Sequence, residues 1–421
     1  MAFPPSTFKK PATVTAVPMH PSVVIVVLSM LLGIQPVTTD LYLPALPALT
    51  TGLGASMAQA QLTLGALLLA FGCSQLVWGP LSDRLGRRPV LLCGLALYSL
   101  ASFACLFVPS IGWLIAGRAL QGAAMGAAVM CARAIVRDLY APAEGARVMS
   151  KGLSGLGLIA CASAPLGGLL ADWLGWRAAL AAVAVFGSAT LLLVFWRFTE
   201  TAQRLNNAAL KPTVLLATWQ RIFRHPAFLA YSALSAACYG GLFTFLATSS
   251  FVFMDVLGNS RSHYGLVMFS MCLAYLAGTF ACRRLLQRFS VKKTVAIAAI
   301  FSLSGGVLMA VATWLGWHGN AALLLPFYLF MLGHGIHQPC SQSGAVGPFP
   351  HAAGAASALN GFITMLVAFG VGLWLGGHMD GTVRPLTYGV GLWSVVIAGV
   401  AWGLVRRYGD AVPGIPVVSQ R

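Results

Sequence analysis

Apolar stretches, each about 20 residues long and closed by a short polar or charged break, recur along almost the whole chain. A helix of that length rises far enough to cross a hydrocarbon core about 30 Å thick. Twelve transmembrane spans are predicted, at 21–45, 58–80, 89–108, 111–137, 149–171, 177–196, 227–253, 263–282, 294–314, 321–342, 353–377 and 386–405. The longest polar interruption, 197–226, divides them six and six. The pattern predicts an all-α integral membrane protein of two six-helix bundles, 21–196 and 227–405. A linker at 197–226 joins them, and tails occupy 1–20 and 406–421.

Of the 421 residues, 58% are hydrophobic and only 8% charged, where soluble domains carry about one-quarter charged residues. Lipid is therefore the main solvent. The net charge of +17 raises the question of nucleic-acid binding, and its distribution answers it. Lys9, Lys10, Arg84, Arg87, Arg88, Arg137, Arg147, Lys151, Arg197, Arg204, Lys211, Arg221, Arg224, Arg283, Arg284, Arg288, Lys292, Lys293, Arg406, Arg407 and Arg421 all fall on one side of the predicted topology. The other side keeps Arg177, Arg261 and Arg384, each preceded by an acid (Asp172, Asp255, Asp380) and read as solvated turn charges. Cationic loops stay cytoplasmic during insertion, so the asymmetry places both termini in the cytoplasm and makes a nucleic-acid partner unnecessary. The nine cysteines lie in or beside apolar spans without metal-ligand spacing and read as small packing residues. Met1 to Pro21 lacks the pattern of a cleaved signal, so the first span is expected to act as its own insertion signal. Small-residue runs such as Gly122 to Ala128 suit close helix packing, whether static or moving.

Gly79-Pro80-Leu81-Ser82-Asp83-Arg84-Leu85-Gly86-Arg87-Arg88-Pro89, between spans 2 and 3, is the most specific segment. Gly86 permits a tight turn, and Arg84, Arg87 and Arg88 anchor the loop at the interface. The segment resembles the loop 2–3 signature of the major facilitator superfamily. That resemblance implies that Asp83 faces the start of span 11 near Gly354, at the positive end of a helix dipole, and that Arg87 pairs with Asp138 in a latch that opens with the inner side. The plainer reading makes these residues topology anchors. A faint echo, Leu286-Gln287-Arg288-Phe289-Ser290-Val291-Lys292, lies between spans 8 and 9.

Two further segments resemble the same superfamily. Leu114 through Arg118-Ala119-Leu120-Gln121-Gly122 in span 4 is similar to its helix 4 pattern with a buried Arg and Gln. A charge within a span costs roughly 2.5–3.5 kcal/mol on insertion scales, so Arg118 is expected to face a cavity or a partner; the alternative is snorkelling to the outer boundary. Arg133, toward the inner end of that span, has the same alternative. In span 5, Gly157 through Ala164-Pro165-Leu166-Gly167-Gly168 is similar to the antiporter motif of proton-coupled exporters, with Ala164 where a Gly is usual and Leu169 where a final Gly is common. Proline and clustered glycines suit a hinge or a structural kink.

Thr38-Thr39-Asp40-Leu41-Tyr42-Leu43-Pro44-Ala45-Leu46-Pro47 resembles the first-helix signature of the Bcr/CflA drug-resistance branch, whose members include exporters of bicyclomycin and chloramphenicol. Every other acid maps to a loop or a helix end, so Asp40 is the one carboxylate placed to titrate inside a translocation path. Burial favours a protonated acid and solvent or a nearby cation favours the carboxylate, so a group alternating between these environments takes up and releases a proton. The alternative is an aspartate capping the outer end of the first span. His334 and His337, three apart in span 10, share a helix face and are either proton or substrate contacts or packed interior histidines. Tyr42, Gln121, Tyr231, Tyr239, Phe243, Asn360 and Thr364 are candidate cavity residues, with ordinary interhelical packing as the alternative.

The resemblance implies a proton-coupled antiporter that exports small organic compounds or antibiotics across the inner membrane by alternating access, with Asp40, coupled to Arg118, binding either a proton or the substrate. Its partners would be a drug-like molecule, protons and the bilayer, acting as a monomer without cofactor or metal. The rival within the superfamily is a proton-coupled metabolite importer, against which the span 5 motif argues. No nucleophile–base pair, metal-ligand set or phosphate loop supports an enzyme.

Overall fold

The computed structural model describes residues 19–140, 142–202, 205, 210, 212–349 and 352–409. Lys9, Lys10, Arg204, Lys211 and Arg421 of the basic set lie outside them. The N-terminal half consists of α1 (Pro21–Asp40), the short α2 (Leu46–Gly52), α3 (Met57–Leu85), α4 (Arg87–Ala104), α5 (Ile111–Leu139), α6 (Pro142–Trp173) and α7 (Trp176–Arg197). After α8 (Pro212–Phe223), the C-terminal half runs through α9 (Pro226–Phe251), α10 (Arg261–Leu286), α11 (Val291–Trp314), α12 (Asn320–Val346), α13 (Ala353–His378) and α14 (Arg384–Gly399). Spans 1 to 6 are thus α1, α3, α4, α5, α6 and α7, and spans 7 to 12 are α9 to α14. Among the described residues, ten helical stretches are long and apolar enough to cross a bilayer. The shorter α4, which opens on Arg87 and Arg88, and α12, whose second half carries His, Gln and Ser, complete the two six-helix halves.

Local chemistry sets the helix ends. Ser56 and Gln59 form a reciprocal capping box at the start of α3, and Ser260 and Ser290 accept from His263 N and Lys293 N at the starts of α10 and α11. Gly86, at φ 98°, ends α3 and begins α4 in a conformation that other residues rarely adopt. Span 1 is not the single helix its apolar run predicts. Pro44 has no N–H for the carbonyl of Asp40, so α1 stops there, Leu43–Ala45 forms one 3-10 turn, and α2 starts afresh with Pro47 in its first turn. The linker, the longest polar interruption in the sequence, carries a helix of its own. Its residues Pro212–Phe223 are a helix that packs against α9 and α13 and buries Ile222.

Within the first half α1 packs on α5, α6 and α7, and α3 and α4 pack on α5; within the second, α9 packs on α12, α13 and α14. Between the halves α3 lies against α13 and α6 against α10. These are spans 2 with 11 and 5 with 8, the pairs a six-plus-six repeat exchanges about a two-fold axis. The polarity of the molecule is inverted relative to a soluble protein. Arg118, Gln61 and His337 are buried, while Phe107, Trp113, Trp173 and Trp314 are exposed. Exposed tryptophans near helix ends, Trp113, Trp173, Trp314 and Trp317 at one end and Trp196 at the other, form the belts expected at membrane–water interfaces.

Candidate functional site

The break in α1 determines what Asp40 can do. Asp40 is the last residue of α1, and the apolar stretch continues past it to Gly52. Its carboxylate accepts from Thr39 Oγ1 at 2.8 Å, and no cation among the described residues is within ion-pair distance. It lies within electrostatic reach of Tyr239 on α9 and of Tyr264 and Cys272 on α10, all from the opposite half. Gln35, one turn earlier on α1, lies near the Tyr239 hydroxyl. Gln35, Asp40 and Tyr239 are each half-buried where the two halves meet.

Arg118 is 0% exposed and faces a different partner from the one its charge suggests. Its Nη2 donates to the carbonyl of Thr38 at 2.8 Å and its Nη1 to Gln121 Oε1 at 2.9 Å, while its guanidinium sits over the Tyr42 ring, 4.3 Å from the centroid. Thr38 lies in the last turn of α1, where carbonyls lack intrahelical donors and the helix dipole is negative, so a cation belongs there. Around it Tyr42 Oη bonds Thr63 at 2.9 Å, Tyr98 Oη bonds Thr38 Oγ1 at 2.5 Å, and Gln121 donates to Ser102 at 2.6 Å. Arg118 and Asp40 are not paired. They meet through one turn of α1, and Tyr42 and Gln121 are buried against the arginine.

The loop between α3 and α4 forms a charged cluster at the basic end. Arg87 is 4% exposed and donates from Nε to Asp138 Oδ2 at 2.8 Å, from Nη1 to Asp83 Oδ1 at 2.7 Å and to Ser82 Oγ at 2.8 Å. Arg137 approaches Asp83 at 3.7 Å and lies 3.9 Å from the position a Cβ on Gly354 would take. Arg137 thus links Asp83 to the start of α13. Glu200, just past α7, was not a candidate in the sequence. Its carboxylate accepts from the backbone N–H groups of Arg87 and Arg88 at 2.9 and 3.0 Å, and of Thr201 and Ala202 at 2.9 Å each. It closes the unsatisfied amides at the start of α4, and a Cβ on Gly86 would lie 2.5 Å from its Oε2. Arg88 donates to the Phe198 carbonyl at 2.9 Å. Arg84 is exposed, and Gly79 has room for a Cβ, with Met130 at an ordinary 3.5 Å.

The span 5 motif is a contact surface. Pro165 lies within α6, and a Cβ on Gly167 would come 2.1 Å from the Leu41 carbonyl oxygen, one on Gly168 2.6 Å from that of Arg261. The two glycines let α6 touch both the broken end of α1 and the opposite half. Next to them Asp172 accepts from Ser262 N at 3.0 Å and pairs with Arg261 at 3.5 Å. Asp172 and Arg261 are therefore a bridge between the halves and not separate solvated turn charges. At the same end the Gln61 amide donates to the Ala247 carbonyl, again across the seam. At the basic end Arg133 donates to Ser357 on α13.

His334 and His337 are buried in α12. The His334 ring lies 5.8 Å from that of Tyr275. Neither ring nitrogen of His337 has a partner among the described residues. Asn360 is buried on α13, Thr364 bonds Ser235 at 3.3 Å, Tyr231 donates to the Gly409 carbonyl, and Phe243 packs beside Gly372.

Two six-helix halves with a polar seam and charged clusters at both ends define an integral membrane transporter. The chain belongs to the major facilitator superfamily, matching it over residues 28–373. It is 32% identical to multidrug resistance protein D of Escherichia coli over 339 residues, which span 80% of this chain and 84% of that one. It is 30% identical to a chloramphenicol resistance protein of Pseudomonas aeruginosa over 321 residues, 76% of this chain and 75% of that one. Among solved structures, the xylose transporter of E. coli in an inward-open conformation has the same fold, with a TM-score of 0.74 at 15% identity over 92% of this chain and 96% of that one. A bacterial homologue of the lysosomal transporter Spinster shares it too, with a TM-score of 0.72 at 14% identity over 93% and 98%.

Proposed function

We propose that the protein is a proton-coupled antiporter that exports small drug-like molecules across the inner membrane by alternating access, with the basic end and both termini in the cytoplasm. The observation that carries this reading is Asp40. It is a carboxylate at the seam, partly accessible, without a cation in ion-pair range among the described residues, and facing aromatic and thiol groups of the opposite half. An acid so placed binds a proton when the seam opens to one side and loses it when the seam opens to the other. Arg118 holds the last turn of α1, so a change at Asp40 is transmitted to the network of Tyr42, Tyr98 and Gln121. The Asp83, Arg87 and Asp138 cluster, with Glu200 behind it, serves as the cytoplasmic latch, and the Asp172–Arg261 pair as a periplasmic one. The relatives named for multidrug and chloramphenicol resistance support an exporter of drug-like molecules, as does the resemblance of the α6 segment to the antiporter motif. The protein works as a monomer, since each half finds its partner within the chain.

The test is a panel of antibiotics on cells overproducing the wild-type protein or its Asp40→Asn variant at matched membrane levels. Raised resistance to at least one compound, lost in the variant, is expected. Resistance retained by Asp40→Asn removes the acid from the mechanism, and accumulation of a metabolite that collapses with an uncoupler favours the importer.

A further inference from the structure

Asp40, at the end of α1, and Arg118 and Arg133, both inside α5, are charged side chains within the predicted spans. The proposed mechanism uses the first two and leaves Arg133 without a role. Its guanidinium, which carries five N–H donors, bonds one neutral hydroxyl, Ser357 on α13, and no described carboxylate is within ion-pair distance. Asp138 follows five residues later on α5, about 7.5 Å along the axis, but it is held by Arg87 at 2.8 Å and approached by Arg137 at 3.9 Å. Arg133 therefore keeps a planar set of donors that suits a carboxylate, while Asp138, the acid that follows it on α5, is engaged by Arg87.

The Ser357 bond crosses the seam. Parting the halves at the basic end breaks it and presents the guanidinium to the opened mouth. Gln342 on α12 also donates to Ser357, at 3.4 Å, and Gln338 and His334 follow at four-residue steps on the same face. A row of polar side chains thus leads from Arg133 toward the level of Tyr275.

We propose that Arg133 is a loading subsite that binds the ionised acidic group of an organic anion at the basic-end mouth, and that Ser357 occupies it when the mouth is closed. This rests on the transport reading above and adds a substrate class to it, organic acids, that Asp40 alone does not specify.

The experiment titrates full-length protein in detergent with aryl carboxylates, each paired with its neutral methyl amide, and reads tryptophan quenching. Wild-type protein is expected to bind the carboxylate of a pair more tightly. Arg133→Gln is expected to weaken the carboxylate by about ten-fold and leave the amide unchanged. Ser357→Ala, which removes the seam bond and the Gln342 bond but leaves the guanidinium, keeps the preference. Equal weakening of both members in Arg133→Gln, as a mere strap between the halves would give, overturns the subsite. So does wild-type protein that shows no preference for the carboxylates. Amide binding reports whether each variant is folded. Proton release is not read, so failure of this subsite and failure of coupling through Asp40 give separate results.

Discussion

A buried arginine is tolerated only if its donors find acceptors, and Arg118 finds them in a backbone carbonyl, an amide and an aromatic face. Hydrogen bonds to charged groups contribute about 1.5–3 kcal/mol each, so Arg118→Leu should lower the melting temperature of the purified protein and abolish transport. Arg118→Lys, which keeps the charge but not the planar fork, should retain most stability and lose transport at least ten-fold, read as drug flux in proteoliposomes. Arg118 and Asp40 stood out in the sequence because a charge inside an apolar run has an evident cost. Their partners did not, since the Thr38 carbonyl that holds Arg118 leaves no trace in composition. Glu200 was hidden for the same reason. It bonds backbone amides 112 and 113 residues away, and only its position just after a span hinted at use. Glu200→Ala should cost about 0.5–2 kcal/mol, the usual range for a lost helix cap, measured by thermal unfolding.

At the level of elements, proline and glycine carry most of the information. The twelve spans were legible because apolar length alone defines them, and their ends fell close to serine, proline and glycine signals. The break after Asp40 was written in Pro44 and Pro47, but hydropathy does not register it. The helix Pro212–Phe223 was missed because its apolar residues are too few to resemble a span. Gly167 shows how one atom limits an element: a Cβ would overlap the Leu41 carbonyl oxygen at 2.1 Å. Gly167→Ala must push α6 off the end of α1, at a cost of about 1–3 kcal/mol for overpacking, and should depress both melting temperature and transport. Gly79→Ala, where the neighbour stands at 3.5 Å, should leave both near wild type.

For the whole molecule, the halves meet along two related helix pairs, and each end of the seam has its own polar closure. The positive asymmetry of the loops was readable from the sequence; that Arg261 joins Asp172 across the seam was not, because the two are 89 residues apart. This pair is partly exposed, and such pairs contribute about 0–1 kcal/mol, so Arg261→Gln should change stability little while shifting the halves toward opening at that end, visible as faster labelling of a seam cysteine. Rocking of the halves becomes pumping only if Asp40 binds a proton on one side and releases it on the other. The direct measurement is drug-dependent proton release by purified protein in liposomes, wild type against Asp40→Asn, with a compound to which the wild type confers resistance. Release by the wild type and none by a folded Asp40→Asn variant is the predicted result; undiminished release from that variant would contradict the mechanism.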